Sequence, residues 1–395
     1  PWLRSMIPAT FETSGVNAMT DTHHEAVVLR GGTVFEGDGS DGAVRDLRIE
    51  GGTISEQREA PGDLVIDVSG LVVTPGLVDL HTHVFAGQDL GVSADEVAFG
   101  SGTTTVLDAG SAGAHLIGAF RASTIDRSSV RVRAMLNISS IGTTSIMLGG
   151  ELLAPWYVSE SAAIEAIEAN RDFVVGVKVR ASGNVGGEHT SAALASARRV
   201  ADQVGLPLMV HLGPAPAGID EIADSLRSGD IITHAFTGWP DNRIVDETSG
   251  LRTSVRAARE RGVLLDVGHG MSGFSLDVAR RMLADGEPPD TISTDIHAYS
   301  RDSVVDLTTV LSKFLALGMP LPDVLRRASS APARAIGLDV GTLAPGAAAD
   351  VAVLERVQET IDFADGFGGT VAGSERLRCV MTFSRGRLVH DGRPS

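Results

Sequence analysis

Eight short apolar runs constrain this chain more than any other feature. They occupy residues 77–83, 103–108, 130–138, 173–180, 206–212, 230–236, 263–268 and 291–297. Each has strand length, and helical patterns lie between them. "SAAIEAIEAN" stops at Asn170. "TSAALASARRVADQVG" begins at a Thr cap and stops at Gly205, with Pro207 just beyond. "SVRAARERG" stops at Gly262 and "LDVARRMLADG" at Gly286. Apolar periodicity punctuated in this way reads as strand alternating with helix. Eight such units predict an α/β fold, a (β/α)8 TIM barrel over residues 75–339. The competing architecture is an open doubly wound sheet. That fold usually carries a glycine-rich phosphate loop after its first strand. Here "HTHVFAGQD" follows instead, with no G-x-G-x-x-G.

The two ends of the chain read differently. Residues 25–74 and 340–395 hold short β-like pieces broken by Gly, Asp and Ser, such as "AVVLRGGTVFEG" and "VMTFSRGRLVHDG". They predict one small β-sandwich domain composed from both termini. Residues 1–24 are polar, lack the apolar stretch of a signal peptide, and read as a loose tail with Met19 a candidate native start.

Formal net charge is −17, from 33 basic and 50 acidic residues. Such a surface repels polyanions, so neither nucleic acid nor an anionic membrane is expected as a partner. No run approaches the length of a membrane span. The single cysteine, Cys379, rules out an intrachain disulfide and fits a reducing cytoplasm. The expected partner is a small-molecule substrate. Homo-oligomerisation is left open.

Functional groups of a (β/α)8 barrel gather at the C-terminal ends of its strands. Six of the 11 histidines fall there: His81, His83, His211, His234, His269 and His297. Lys178, Arg180 and Asp295 join them. His81 and His83 are two apart, so on a strand they share a side and can chelate a metal. Taken singly, each histidine has a plainer reading, as a surface accident or a hydrogen-bonded core residue. Their recurrence at one end of successive strands is what favours metal. Four histidines and one aspartate supply ligands for two ions, but two neighbouring cations also need a bridging anion. Lys178, in the valine-rich "VVGVKVRAS", offers one. Burial favours a neutral amine, which reacts with CO2 to give a carbamate. The alternatives are a buried Lys–Asp pair or a lysine reaching toward the barrel mouth.

With these residues in hand, the chain resembles the amidohydrolase superfamily. The matching pieces are "PGLVDLHTH" (75–83), Lys178, His211, His234, "STD" (293–295) and "GTLAPGAAADVAVL" (341–354). The resemblance implies that His81, His83 and Asp295 bind one metal and His211 and His234 the other. Carboxylated Lys178 would bridge them, and both ions would be zinc (Zn2+). "LDAGSAG", "LNISSIG", "VGVKVRAS", "LDVGHG" and "ISTDIH" are similar to the deacetylase-like branch, related to dihydroorotases. Some of its members cleave acetyl esters of α-hydroxy acids. The implied activity is hydrolysis of an acyl ester or amide of a small carboxylate-bearing molecule. A metal-bridged hydroxide would attack, with Asp295 as proton shuttle. Cyclic amide hydrolysis, as in dihydroorotase or hydantoinase, is the second reading. Mononuclear deaminases of the superfamily resemble one another in H-x-x-E after the fifth strand, whereas here His211 is followed by Leu212, Gly213 and Pro214.

Further contacts are expected around the metals. Arg180 lies two residues beyond Lys178 and would meet a substrate carboxylate or pair with an acid at the mouth. His269 and His297 would touch substrate or orient ligands. Ser111 and Gly113 would turn backbone amides toward a ligand, or simply build a tight turn.

Overall fold

The computed structural model describes residues 26–246 and 250–394, so the expected tail at 1–24 lies outside the described residues. The first strands are β1 (Ala26–Val34), β2 (Ala43–Glu50), β3 (Thr53–Ser55), β4 (Leu64–Asp67) and β5 (Val72–Pro75). Then come β6 (Leu77–Thr82), β7 (Thr103–Asp108), β8 (Arg131–Asn137), β9 (Val174–Ala181), β10 (Leu208–Leu212) and β11 (Ile231–Thr233). A two-residue pair, β12 (Val245–Asp246) and β13 (Gly250–Leu251), precedes β14 (Leu264–Leu265). The described chain closes with β15 (Val351–Ala364), β16 (Thr370–Ser384) and β17 (Arg387–Asp391).

Two large sheets result. The first has eight strands, in the order β17-β16-β15-β5-β1-β2-β3 with β4 also against β1. β15 runs antiparallel to β5, pairing Val351 with Pro75 and Leu354 with Val72, so both ends of the described chain share one sheet. Its buried side holds Leu29, Leu47, Ile49, Val73, Val351, Val353, Met381 and Phe383. The second sheet is parallel and curled, with β6, β7, β8, β9, β10, β11 and β14 paired in sequence order.

Alternation along these strands separates two cores. Val177 and Val179 of β9, and Leu208, Val210 and Leu212 of β10, belong to the core shared with the helices. Leu80, Leu107, Met135, Met209 and Ile231 form a separate cluster inside the curl. Lys178 lies between the two outward valines and therefore points inward, where its amine reaches Met209 Sδ at 3.4 Å. The helices follow their expected stops. Thr190–Val204 ends at Gly205 in the left-handed conformation, φ 65°. Thr190 is its first helical residue rather than its cap, the capping position being His189.

One expected strand does not form as such. Residues 291–297 make isolated bridges, Asp266 with Thr291 and Thr82 with Ile296, instead of a continuous ladder. Asp295 has φ 50°, which breaks the extended backbone that a ladder requires. The segment still bonds to both neighbours. Asp295 N donates to His81 O (2.7 Å) and His83 N to Ile296 O (3.0 Å), while Val267 N donates to Thr291 O (3.1 Å) and Gly270 N to Thr294 O (2.8 Å). The sixth and seventh runs shrink for the same reason. His234 (φ 59°) follows β11, and Gly268 (φ 50°) lies shortly after β14.

Candidate metal centre

The ends of the parallel strands bring His81, His234 and Asp295 together, with one ligand atom from each lying within 4.8 Å of the others. His81 Nε2 is 3.3 Å and His83 Nε2 3.4 Å from Asp295 Oδ1. His234 Nε2 is 3.9 Å from Asp295 Oδ2. The His211 ring stands edge-on to His234, with centroids 4.3 Å apart. Lys178 Nζ lies 3.4 Å from His81 Nε2. Every metal ligand expected from the sequence is therefore in one cluster, and all but His211 are buried.

Hydrogen bonds behind the rings decide which nitrogen is bare. The Thr233 hydroxyl donates to Asp266 Oδ2 (2.7 Å), so its oxygen accepts from His81 Nδ1–H (2.7 Å). His234 Nδ1 donates to Gly268 O (2.6 Å), and a carbonyl can only accept. Both Nε2 lone pairs are thus left for the centre. His83 Nδ1 pairs with Ser111 Oγ (2.8 Å). His234 Nε2 is buried and has no hydrogen-bond partner. An orphaned acceptor among imidazoles and a carboxylate is costly unless a cation occupies the gap. The nitrogen and oxygen donors, with their ring orientations fixed from behind, fit a divalent ion of the zinc type. Two non-glycine residues in the left-handed region, His234 and Asp295, lie at this cluster, as strained backbone often does at functional sites.

The "VGHGMSG" turn explains how the ligands are accommodated. A Cβ on Gly268 would lie 2.9 Å from His234 Nδ1, and one on Gly270 2.3 Å from Asp295 Oδ2. One on Gly273 would lie 2.2 Å from His234 Nδ1. Side chains there would displace the ligands.

Burial dominates the electrostatics. It pushes His234 down to about 4 and holds His81 and His211 well below the ordinary histidine value, so these rings are neutral lone-pair donors near neutrality. Burial lowers Lys178 from 10.5 to about 7, which leaves much of its amine neutral. For Asp295, burial opposes the charge, but the His83 hydrogen bond and, when protonated, the His297, His234 and His83 rings hold the carboxyl below the usual range. Behind the centre, burial pushes Asp79 up to about 7 and also raises Asp266.

A cavity of about 570 Å³ opens over the cluster. Its polar lining includes Arg180, His211, His234, Asp295 and His297, and its apolar lining includes Ile146, Trp239 and Met271. Arg180 meets the cavity, but Nη1 also donates to Glu151 Oε2 (3.1 Å), the acid pairing that the sequence had left as an alternative. His297 lines the cavity with Nε2 4.0 Å from Asp295 Oδ2, and Tyr299 N donates to its Nδ1 (3.2 Å).

Three expected contacts are corrected. His269 is turned away: Nε2 meets Lys313 Nζ at 2.8 Å, and the ring stacks on Phe274 at 5.0 Å. Burial and the Lys313 charge lower it to about 3. Ser111 reaches His83 through its hydroxyl, while its amide is already spent on Asp108 Oδ1 (2.7 Å). Gly113 packs on backbone, where a Cβ would lie 1.8 Å from Ser139 O, so it serves close approach rather than a ligand. Neither Ser111 nor Gly113 lines the cavity. The sequence reading also missed several residues. Asp266, Thr233 and Asp79 buttress ligands and lie within or beside quoted motifs, so acids flanking the histidines were a usable signal. Glu151, in a glycine-rich stretch without periodicity, gave none.

Residues 72–389 match the model of the Amidohydrolase family. A deacetylase of Agrobacterium fabrum is 34% identical over 373 residues, covering 92% of this chain and 91% of that protein. A solved structure described as a dihydroorotase superposes with TM-score 0.86 at 31% identity, covering 93% of this chain and 98% of its own. Another, described as an adenine deaminase, gives TM-score 0.85 at 30% identity, covering 92% and 99%. The metal-type cluster at the strand ends and these matches together identify the chain as a member of the amidohydrolase family, a hydrolytic enzyme.

Proposed function

We propose that the parallel sheet closes as a (β/α)8 barrel through residues 291–297. On this reading its mouth is a binuclear site that hydrolyses an acyl ester or amide, most simply an acetyl group, of a small carboxylate-bearing molecule. The observation that carries the reading is the buried His234 Nε2, which has no hydrogen-bond partner and stands 3.9 Å from Asp295 Oδ2, in a cluster where Nδ1 of His81, His83 and His234 is already tied from behind. His81, His83 and Asp295 would hold one ion, and His211 and His234 the other. Lys178 would join them once its amine has taken up CO2 as a carbamate. Bound zinc would polarise the substrate carbonyl and lower the pKa of water.

The chain's own residues supply the rest. Asp295, held as a carboxylate, accepts the proton of the attacking water and returns it to the leaving alkoxide or amine. Tyr299 N–H occupies His297 Nδ1, so a neutral His297 carries its proton on Nε2, toward Asp295 and the cavity. There it can donate to substrate. Arg180 uses one N–H on Glu151 and keeps others for a substrate carboxylate. Trp239 and Met271 give the cavity an apolar wall that limits water.

The deacetylase of A. fabrum supports acyclic acyl transfer to water. The structure described as a dihydroorotase favours the second reading, opening of a cyclic amide. A screen of zinc-loaded protein against O-acetyl hydroxy acids, N-acyl amino acids and cyclic imides or ureides separates them. Turnover of the first two classes is expected. Turnover confined to the cyclic compounds would reverse the order. Protein that binds no divalent ion and gains no activity from one would overturn both.

A further inference from the structure

The tip that joins β15 to β16 is remote in sequence from the metal ligands, yet it is seated beside their cavity. Leu276 N donates to Asp365 Oδ2 (2.7 Å), Arg280 Nη2 to Thr370 O (2.9 Å), and Gly366 N to Phe274 O (3.3 Å). Lys313 Nζ, which hydrolysis as described does not use, donates to Ala364 O (2.8 Å) and meets His269 Nε2 (2.8 Å). The turn is also fixed internally, since Asp365 Oδ1 accepts from Phe367 N (2.8 Å) and Gly369 N (2.7 Å).

This clamp sets Phe367 edge-on against Trp239, with centroids 5.7 Å apart and planes at 82°. The backbone is shaped for that contact. A Cβ on Gly238 would lie 2.9 Å from the Phe367 ring, and one on Gly366 would lie 2.0 Å from Met271 O. Trp239 and Met271 line the cavity that Arg180 also lines, and Phe367, itself 39% exposed, packs on Trp239 without lining the cavity.

We infer that Phe367 is a positioning residue that acts through Trp239 to hold the apolar wall of the substrate cavity, and so sets a preference for acids carrying an apolar group. The inference rests on reading that cavity as the site of a carboxylate-bearing substrate. Edge-to-face aromatic pairs have the strength to fix such a wall.

The test is calorimetric binding of phenylacetate and acetate to zinc-loaded protein, which needs no turnover. The unmodified protein should bind phenylacetate more tightly. Phe367→Ala should lower the ratio of the two affinities on the order of threefold to tenfold. Phe367→Tyr keeps the ring and should keep the ratio. Gly238→Ala pushes a methyl group into the ring and should lower the ratio with Phe367 intact, which covers the case of a poorly folded Phe367→Ala. No preference for phenylacetate in the unmodified protein, or an unchanged ratio in the alanine variants, overturns the inference. So does Phe367→Tyr behaving as Phe367→Ala. A ratio that falls in protein cleaving no acyl substrate refutes the acyl-hydrolysis reading but leaves this one standing. Hydrolysis with an unchanged ratio does the reverse.

Discussion

Replacing Lys178 by methionine separates what this residue does for function from what it costs the fold. The side chain is 1% exposed, inside the curl of the parallel sheet. Burial lowers its amine from 10.5 to about 7. Between these values the unfolded chain binds a proton that the native chain does not. Stability of the metal-free protein therefore rises with pH across that window and levels off below pH 7, where both states are protonated. At about 1.4 kcal/mol per pH unit, the native state gives up about 4 kcal/mol at pH 7 and about 2 kcal/mol at pH 9. Methionine has a similar volume and no charge, and such swaps usually cost under about 1.5 kcal/mol. Chelated Lys178→Met protein should therefore be more stable than chelated wild type by a few kcal/mol at pH 7. The gap should close as pH approaches 10.5. Urea denaturation at pH 7, 8, 9 and 10 measures this, read as the difference between the two proteins so that other titrating groups cancel. The same variant, loaded with zinc, should lose metal and activity. Parallel stability curves across pH 7–10, or a variant less stable than wild type at pH 7, would refute the reasoning.

Three further outcomes follow from the same geometry. Lys178→Ala should lose activity and at least one metal ion, and short carboxylic acids added at millimolar concentration should restore part of the activity by filling the bridge; full activity in the variant would exclude a carbamate. Asp295→Asn should lower kcat on the order of a thousandfold in steady-state assays, because in the proposed reaction its carboxylate, beside His83 and His81, would accept the proton. Asp266→Ala removes the acceptor of the Thr233, Thr291 and Ser293 hydroxyls, and with it the support of His81 Nδ1. Metal affinity, measured by competition with a chromogenic chelator, should fall on the order of tenfold to a hundredfold.

Much of this protein was legible from local pattern. Strands announce themselves by apolar runs, and β7 lies where the sequence placed it, at Thr103–Asp108. The candidate ligands were legible because metal chemistry restricts residue type, and strand order put each at the same end of the sheet. Lys178 stood out because a charge in a valine run calls for a reason. What failed was orientation. His234 and His269 fall at the same end of consecutive strands, yet His234 faces the centre and His269 faces Lys313 and Phe274. No spacing rule separates them, because a left-handed residue at His234 and glycines at 268 and 270 redirect the backbone. Glu151 was silent because nothing in a loop's sequence says which buried guanidinium it will meet.

The sequence by itself determined most of the elements, their order and the inventory of candidate metal-binding groups, since these depend on side-chain chemistry and on periods a few residues long. Tertiary structure alone decided which ring nitrogen is bare, which histidine faces the candidate centre, and that Phe367 meets Trp239 edge-on. Those outcomes depend on contacts between segments far apart in the chain, where packing and hydrogen bonding choose among directions that local sequence leaves equal.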